Sequence, residues 1–366
     1  MQLKFQLIFF LIITLNSVAQ INEQPLLNIG DPAPKLNKIK WIKGTPIQEF
    51  TKGKIYVLEF WATWCGPCKA AMPHLSELAL KYKDKVVILG IDIYETKSTS
   101  METVKAFVDS LGNKMNYNVA ADDSNFMVDK WLIASEEKTK GIPRTFVINE
   151  KGQLAWIGHP KDLEPVLSKI VNQTWDIQKA KTKRNSDKYL DSLDNETIGD
   201  LNLYKPIPGK QDSTLLMISE IIKKEPQLQY APRTAQKTFF ALIKVDTHKA
   251  YEYGKVAIIT PTYEEPAYYG IITSIKWYSN KVILPAEIYQ LGAEAYRLQI
   301  NEIPYPEIDG IYEQYAQMAE WYWLAKDSLN AIQAQKKAIV WLKSKNDLST
   351  KELKEFQSKL KLYSSL

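Results

Sequence analysis

The chain has 366 residues, which is long for one ordinary domain and favours two. Apolar residues make up 45% and charged residues 24%, as in an ordinary globular protein, and the formal net charge of +5 is small for this length. Because no long Lys/Arg block or aromatic-basic ladder occurs, nucleic acid is excluded as an expected partner.

Residues 1–19 have the features of a secretory signal peptide. Lys4 precedes an apolar run, Phe5–Leu15, that falls short of the roughly 20 residues a membrane span needs. Ser17 and Ala19 are small residues at the positions that a signal peptidase reads, which predicts cleavage after Ala19. An uncleaved N-terminal anchor is the alternative. The expected location is periplasmic or otherwise extracytoplasmic.

Strand and helix patterns alternate over residues 27–172. Apolar, β-branched and aromatic runs predict the strands, and apolar residues at helical spacing predict the helices. The expected strands are Ile55–Ala62, Val86–Tyr94, Asn116–Ala121, Thr145–Asn149 and Gln153–Ile157; the expected helices are Cys65–Tyr82, Met101–Leu111, Phe126–Glu137 and Asp162–Val171. This order implies an α/β domain with a central mixed sheet and helices on both faces.

The composition changes after this domain. Residues 173–212 are polar and contain the breaker Pro206–Gly209, which predicts a linker with room for one helix. From residue 213 to residue 366, apolar residues recur at helical spacing, which predicts an all-α domain with a core of aromatic side chains. The expected helices are Leu215–Lys224, Arg233–Val245, His248–Ile259, Ala286–Ile300, Ile311–Ala325, Ser328–Lys343 and Lys351–Tyr363.

One pair of these expected helices, Tyr315–Ala338, resembles a tetratricopeptide unit. Ala331 and Ala338 lie seven positions apart, and Ala250 and Ala257 repeat that spacing. Such small residues let two antiparallel helices approach closely. The consensus is degenerate, so a helical repeat array and an unrelated helical bundle both remain open.

The chain has two cysteines, Cys65 and Cys68, in the sequence WCGPC at the end of an apolar run. A disulfide that encloses two residues removes little chain entropy, so it would hardly stabilise a large domain. Zinc needs four ligands, and neither a second cysteine pair nor the spacing of His74, His159 and His248 supplies them. The pair is therefore expected to serve redox chemistry, with no metal or other cofactor.

Cys65 falls where the expected strand ends and the expected helix begins. Its sulfur would lie near unpaired backbone N–H groups and the positive end of the helix dipole, both of which favour the thiolate. Pro67 in the first turn is typical of a helix start, because its missing N–H costs nothing there. Gly66 leaves room for a partner chain beside the sulfur. Cys68, expected half-buried one turn later, can reach Cys65.

With the preceding strand, the following helix and Pro73, the sequence WATWCGPCKAAMP at residues 61–73 resembles the thioredoxin superfamily, in particular its exported TlpA/ResA-type branch. The resemblance covers residues 27–171 and says nothing about the second half of the chain. It implies a thioredoxin fold with Trp64, Gly66 and Pro67 in the active-site motif and a redox disulfide between the two cysteines.

The resemblance implies a substrate-binding site as well. Gly141–Pro143 matches the motif in which a cis-proline, here Pro143, faces the active site and the backbone of the preceding residue, here Ile142, pairs with a substrate strand. A trans-Pro143 in a plain turn is the alternative. Gly158 falls near a glycine that borders the substrate groove in the family, although a simple strand-end role is equally compatible with the sequence.

Glu59 lies six positions before Cys65, in the middle of an apolar strand. Thioredoxins place a buried acid there, beneath the second cysteine, and such a carboxyl has a raised pKa and can shuttle a proton. The lysine that thioredoxins carry on the adjacent strand aligns with Ile88, so Glu59 is expected to lack a nearby cation and to titrate higher still. A structural carboxyl in a polar pocket is the alternative.

These features predict an exported protein disulfide oxidoreductase. The Cys65 thiolate would attack a disulfide of a protein substrate, and Cys68, deprotonated with help from Glu59, would resolve the mixed disulfide. The Gly-Pro dipeptide resembles that of reducing members of the superfamily, so reduction is the favoured direction. A membrane thiol reductase is the expected electron donor.

Three other functions remain open. The helical half fits a binding adaptor or chaperone whose thioredoxin-like domain serves docking. A thiol peroxidase normally needs a threonine shortly before a lone cysteine; Thr63 is present, but the second cysteine and the buried acid favour disulfide exchange. Disulfide isomerisation would require a dimer.

Overall fold

The computed structural model describes residues 26–137, 141–198, 211–263, 266–301, 310–345 and 348–365. The expected signal peptide lies outside these ranges. The strands they contain are β1 (Lys40–Lys43), β2 (Ile55–Trp61), β3 (Val86–Asp92), β4 (Asn118–Ala121), β5 (Arg144–Ile148) and β6 (Leu154–Gly158). They form one sheet in the order β1-β4-β3-β2-β5-β6. Strands β2, β3 and β4 run parallel, and the remaining pairings are antiparallel.

The two faces of the sheet are covered differently. The helices α1 (Gly66–Lys81), α2 (Met101–Leu111) and α3 (Leu163–Val171) pack on the face that carries Val57 and Trp61. The other face is covered by the N-terminal segment around Leu27 and Leu36 and by a π-helical turn at Val128–Ile133. The predicted mixed sheet with flanking helices is thus confirmed, and the helix expected within Phe126–Glu137 is present over residues 126–133, of which Val128–Ile133 are π-helical.

Alternation along β2 explains why the whole strand is buried. Val57 and Trp61 point to the α1 face, whereas Tyr56, Leu58 and Phe60 point to the opposite face. A strand in the middle of a sheet with both faces covered reads as a continuous apolar run, which is the pattern seen in the sequence. Glu59 interrupts this run and shares the face of Val57 and Trp61.

The segment predicted as a linker contains one helix, α4 (Ile177–Ile198), which is docked on the first half of the chain. Its Arg184 Nη2 donates to Oε1 of Glu137 at 2.7 Å and to the Ser135 carbonyl at 2.6 Å. Its Asn185 side chain accepts a hydrogen bond from Asn28 at 2.8 Å. The sequence allowed a helix here but gave no reason to expect docking. The predicted breaker at Pro206–Gly209 lies outside the described residues.

The second half is helical throughout the part that the structure describes. Its helices are α5 (Gln211–Lys224), α6 (Pro232–Val245), α7 (Thr247–Ala257), α8 (Tyr268–Ser279), α9 (Ala286–Asn301), α10 (Ile311–Leu324), α11 (Ser328–Lys343) and α12 (Thr350–Tyr363). None of the helices in the described ranges has the length and apolar character that a membrane crossing requires.

Helix α8 was not predicted, because its β-branched and aromatic residues and Gly270 have low intrinsic helix propensity. Tertiary packing stabilises this helix instead, because Ile271 and Ile275 of α8 are fully buried in the aromatic core. The expected aromatic core is present, with Trp321 only 1% exposed. Ala331 is also fully buried, but a repeat array stays a prediction.

A buried carboxylate ties α4 to the start of α6. Asp194, fully buried, accepts hydrogen bonds from the backbone N–H groups of Arg233 at 2.9 Å and Thr234 at 3.0 Å. Its two oxygens also accept from the hydroxyls of Thr234 at 2.7 Å and Tyr263 at 2.8 Å. Asp194 therefore caps α6 with a negative charge at the positive end of the helix dipole.

Replacing Asp194 with alanine is expected to lower the free energy of unfolding by about 3 kcal/mol, because buried N–H and O–H donors lose their acceptor. Chemical denaturation of the purified variant measures this change. The matched control is Glu196→Ala on the same helix, an exposed carboxylate that accepts only from Ser192 among the described contacts. It should change stability by less than about 0.5 kcal/mol. Equal effects of the two variants would contradict the capping role.

Candidate active site

Cys65 and Cys68 form a disulfide at the start of α1, with their Cα atoms 5.3 Å apart. Cys65 is the N-cap residue, and its Sγ accepts a hydrogen bond from the Cys68 backbone N–H at 3.2 Å. Pro67 occupies the first turn, as the sequence predicts. Cys68 is 2% exposed, so the expectation of half-burial was wrong: the residue packs in the apolar layer between α1 and the sheet.

The loop before Cys65 is fastened to the segment that follows β3. The backbone N–H and the hydroxyl of Thr63 donate to the two carboxylate oxygens of Glu95, at 2.6 and 2.9 Å. The Trp64 indole N–H donates to the Tyr94 carbonyl at 2.9 Å, and 54% of the Trp64 surface remains exposed. The loop therefore holds a fixed position and presents Trp64 next to the disulfide.

A second buried carboxyl lies behind this loop. Asp92, at the end of β3, pairs in register with Trp61 and is 3% exposed. Burial raises the pKa of Asp92 to about 8, and the neighbouring Glu95 carboxyl makes a smaller contribution to this rise. Sequence reasoning missed both Asp92 and Glu95. A carboxyl at the end of the apolar run VVILGID was a signal that could have singled out Asp92.

The backbone before Pro143 lies against the disulfide. The Ile142–Pro143 peptide bond is cis, and Gly141 precedes it with a φ of +74°, in the left-handed region that favours glycine. The Ile142 carbonyl oxygen lies 3.7 Å from Cys65 Sγ, although 77 positions separate the two residues. The chain thus brings together the two segments that the sequence singles out.

Glu59 is buried on the sheet face that carries the cysteines. Its position on β2 lies between Val57 and Trp61, which pack in the same apolar layer as Cys68. The Thr145 hydroxyl donates to Oε2 of Glu59. Oε1 has no hydrogen-bond partner within the described part of the chain. Burial raises the pKa of Glu59 to about 8, and the Thr145 hydrogen bond and the Arg144 charge oppose this rise.

The expectation that Glu59 lacks a nearby cation stays a prediction. Among the described contacts its carboxyl is bonded to the Thr145 hydroxyl and to no lysine or arginine. Ile88 pairs with Val57 across the two strands, and the residue opposite Glu59 is Gly90.

The charge of Arg144, the residue after the cis-proline, lowers the pKa of Glu59, but its effect is smaller than those of burial and of the Thr145 hydrogen bond. Arg144 pairs in register with Phe60, on the other sheet face, and its Nε lies 3.4 Å from Glu137. Strand β5 lies on the other side of β2, a tertiary pairing that no pattern within either segment indicates.

A large cavity opens beside the disulfide. We call it the long groove; its volume is about 1510 Å³, and Pro67, Ile142 and Pro143 line one end of it. Gly158 lines it too, at the end of the edge strand β6. A Cβ atom at Gly158 would lie 2.1 Å from the Trp156 indole, so only glycine lets this ring lie over the strand.

Comparisons with known proteins cover the first half of the chain. Residues 29–157 match the AhpC/TSA family. Protein FixW of Rhizobium leguminosarum is 35% identical over 154 residues, which are 41% of this chain and 68% of FixW. Thiol-disulfide oxidoreductase ResA of Bacillus anthracis is 33% identical over 130 residues, which are 35% of this chain and 68% of ResA.

Among solved structures, StoA from Bacillus subtilis aligns with a TM-score of 0.28 and 24% identity, over 34% of this chain and 90% of StoA. The family of this chain follows from the sequence relatives, from the strand order of the sheet and from the position of the disulfide at the start of α1. Through its first half, the chain belongs to the family of thioredoxin-like thiol–disulfide oxidoreductases.

Proposed function

We propose that the protein is an exported oxidoreductase that reduces disulfides of envelope proteins by dithiol exchange through Cys65 and Cys68. The observation that carries the proposal is the position of the pair: Cys65 caps the start of α1 and its sulfur lies 3.7 Å from the Ile142 carbonyl. A sulfur at a helix N-terminus is favoured as the thiolate, which is the form that attacks disulfides.

The reaction starts from the reduced protein. The Cys65 thiolate attacks one sulfur of a substrate disulfide; that S–S bond breaks, and the substrate's other sulfur leaves as a thiolate and takes up a proton. The Cys68 thiol then loses its proton to the Glu59 carboxylate and attacks Cys65 Sγ. The mixed disulfide breaks, the second substrate sulfur leaves and is protonated, and Cys65 and Cys68 end as a disulfide. The substrate gains two electrons and two protons.

Export and the electron source belong to the same proposal. The apolar run Phe5–Leu15 and the small residues Ser17 and Ala19 support export. Each cycle leaves the protein oxidised, so an external dithiol must reduce the Cys65–Cys68 disulfide. A thiol reductase of the membrane is the class of donor that can carry reducing equivalents to such a location.

The match to the AhpC/TSA family raises a thiol peroxidase as a second candidate. In that reaction a threonine hydroxyl supports the attacking cysteine. The Thr63 hydroxyl here donates to Glu95 at 2.9 Å, and the second cysteine lies within disulfide distance. These contacts favour dithiol exchange over peroxide reduction.

Substitution of either cysteine is expected to separate the two steps. Cys65→Ser should reduce insulin disulfides no faster than the uncatalysed reaction, because the attacking thiolate is missing. Cys68→Ser should still attack but should not release the substrate, so a covalent adduct on Cys65 should accumulate until dithiothreitol is added. Mass spectrometry of purified material identifies the adduct. A cellular phenotype that survives Cys65→Ser would favour the adaptor alternative.

Glu59→Gln is expected to slow resolution of the mixed disulfide by about 100-fold at neutral pH, because Cys68 loses its general base. In the parent protein the resolution rate should rise with pH and level off above about 8, where Glu59 is ionised. In the variant the rate should follow the ionisation of the Cys68 thiol itself, so it should go on rising with pH and show no plateau set by Glu59. Stopped-flow measurement of single turnovers at a series of pH values provides the profile.

The matched control for this profile is Asp92→Asn, which removes the other buried carboxyl whose pKa is raised to about 8. The rise and the plateau of the resolution rate should persist in that variant.

The free energy of unfolding gives an independent check. Because the folded-state pKa of Glu59 lies above the ordinary value of 4.5, stability is fully present below that value and is lost as pH rises through about 8. Glu59→Gln should reduce this loss; an unchanged pH dependence would contradict the assigned pKa.

A further inference from the structure

The long groove extends from the disulfide to the helical half of the chain. Its lining includes Trp156 and Gly158 of β6 near the active site, and Gln236 of α6 and Tyr269 of α8 in the helical half. Residues 29–157, which match the AhpC/TSA family, contain none of the helical lining. The groove is therefore a composite feature of this chain.

The helical part of the lining is held firmly in place. Gly270 lets α8 approach α6 closely, since a Cβ atom there would lie 2.7 Å from the Gln236 side chain. The start of α6 is bound to α4 through Asp194, and α4 is bound to the first half through Arg184. Contacts of this kind keep both parts of the lining in a fixed relation, which favours binding of a ligand across them.

Tyr269 is the side chain in this lining that is most suited to contact a ligand. Its surface is 65% exposed although it borders a concave region. Tyrosine offers a large rigid ring with few rotatable bonds, and for this reason it is enriched in protein recognition surfaces. Trp156 and Trp175 add further aromatic lining. The Trp175 indole N–H donates to the Ala155 carbonyl at 2.9 Å.

The dimensions and the backbone of the groove indicate a polypeptide as the occupant. Its volume of about 1510 Å³ exceeds the roughly 300–1,000 Å³ of ordinary small-molecule sites. Residues 156–158 belong to β6, a strand at the edge of the sheet, and an edge strand can pair with an extended chain. One end of the groove lies at Ile142, which contacts Cys65.

We propose that the helical half completes the substrate site: the face of α6 and α8 around Tyr269 binds the polypeptide segment that flanks the substrate cysteine. Tyr269 is then a specificity-determining residue that acts on protein substrates and not on small disulfides. This inference rests on the proposed dithiol exchange at Cys65, because the bound segment must present its sulfur there.

The test uses the full chain with Cys68→Ser, reduced, and two probes that share one leaving group. One probe is a dodecapeptide whose central cysteine carries thionitrobenzoate; the other is N-acetylcysteine carrying the same group. The Cys65 thiolate attacks the cysteine sulfur, the S–S bond breaks, and thionitrobenzoate leaves as a coloured anion. In this background Tyr269→Ala should lower the second-order rate constant for the peptide by about fivefold to tenfold. The rate with N-acetylcysteine should stay the same.

Two variants sharpen the result. Tyr189→Ala removes a tyrosine that is 59% exposed on α4 but does not line the groove, and it should change neither rate. Tyr269→Phe keeps the ring and should restore the peptide rate. An unchanged peptide rate for Tyr269→Ala, or an equal loss with both probes, would overturn the inference. A Cys68→Ser protein with unaltered Tyr269 that reacts with neither probe would overturn the proposed function itself.

Discussion

The carboxylate of Glu137 joins strand β5, which follows the cis-proline, to the docked helix α4. It is 6% exposed and accepts from Arg184 of α4 at 2.7 Å, while Nε of Arg144 lies 3.4 Å from its other oxygen. A buried carboxylate is stable only when it is paired, and two guanidinium groups supply that pairing. The docked helix α4 and Arg144, the residue that follows the cis-proline, therefore share one buried carboxylate.

Two buried carboxyls in the candidate active site, Glu59 and Asp92, have different environments. Glu59 accepts a hydrogen bond from Thr145 on β5, and the Arg144 charge lowers its pKa. Asp92 lies beside Glu95, which accepts hydrogen bonds from the loop before Cys65. Burial raises the pKa of both groups to about 8. Both carboxyls lie on the sheet face that carries Cys68, because Asp92 pairs in register with Trp61, so it is their different neighbours that indicate different roles.

The sequence was informative wherever the determining residues are adjacent along the chain. WCGPC with its flanking strand and helix predicted the paired cysteines at a strand–helix junction, and the pattern of apolar runs predicted the mixed sheet. It failed where partners come from distant segments. Thr145 reaches Glu59 only because β5 pairs with β2, and α8 forms because Ile271 and Ile275 are buried against other helices. Neither effect leaves a periodic signal in its own segment.

Disulfide exchange by itself selects substrates weakly, because the attacking and leaving sulfurs are the same in every protein. Selection must come from non-covalent contacts that position one particular sulfur near Cys65. The first half provides the chemistry and one end of the long groove, at Ile142 and Pro143. Another part of the lining comes from helices bound to it through Glu137 and Asp194. In the function proposed above, the composite groove therefore divides the work: the strand–helix junction at Cys65 sets reactivity, and the appended helices set the choice of substrate.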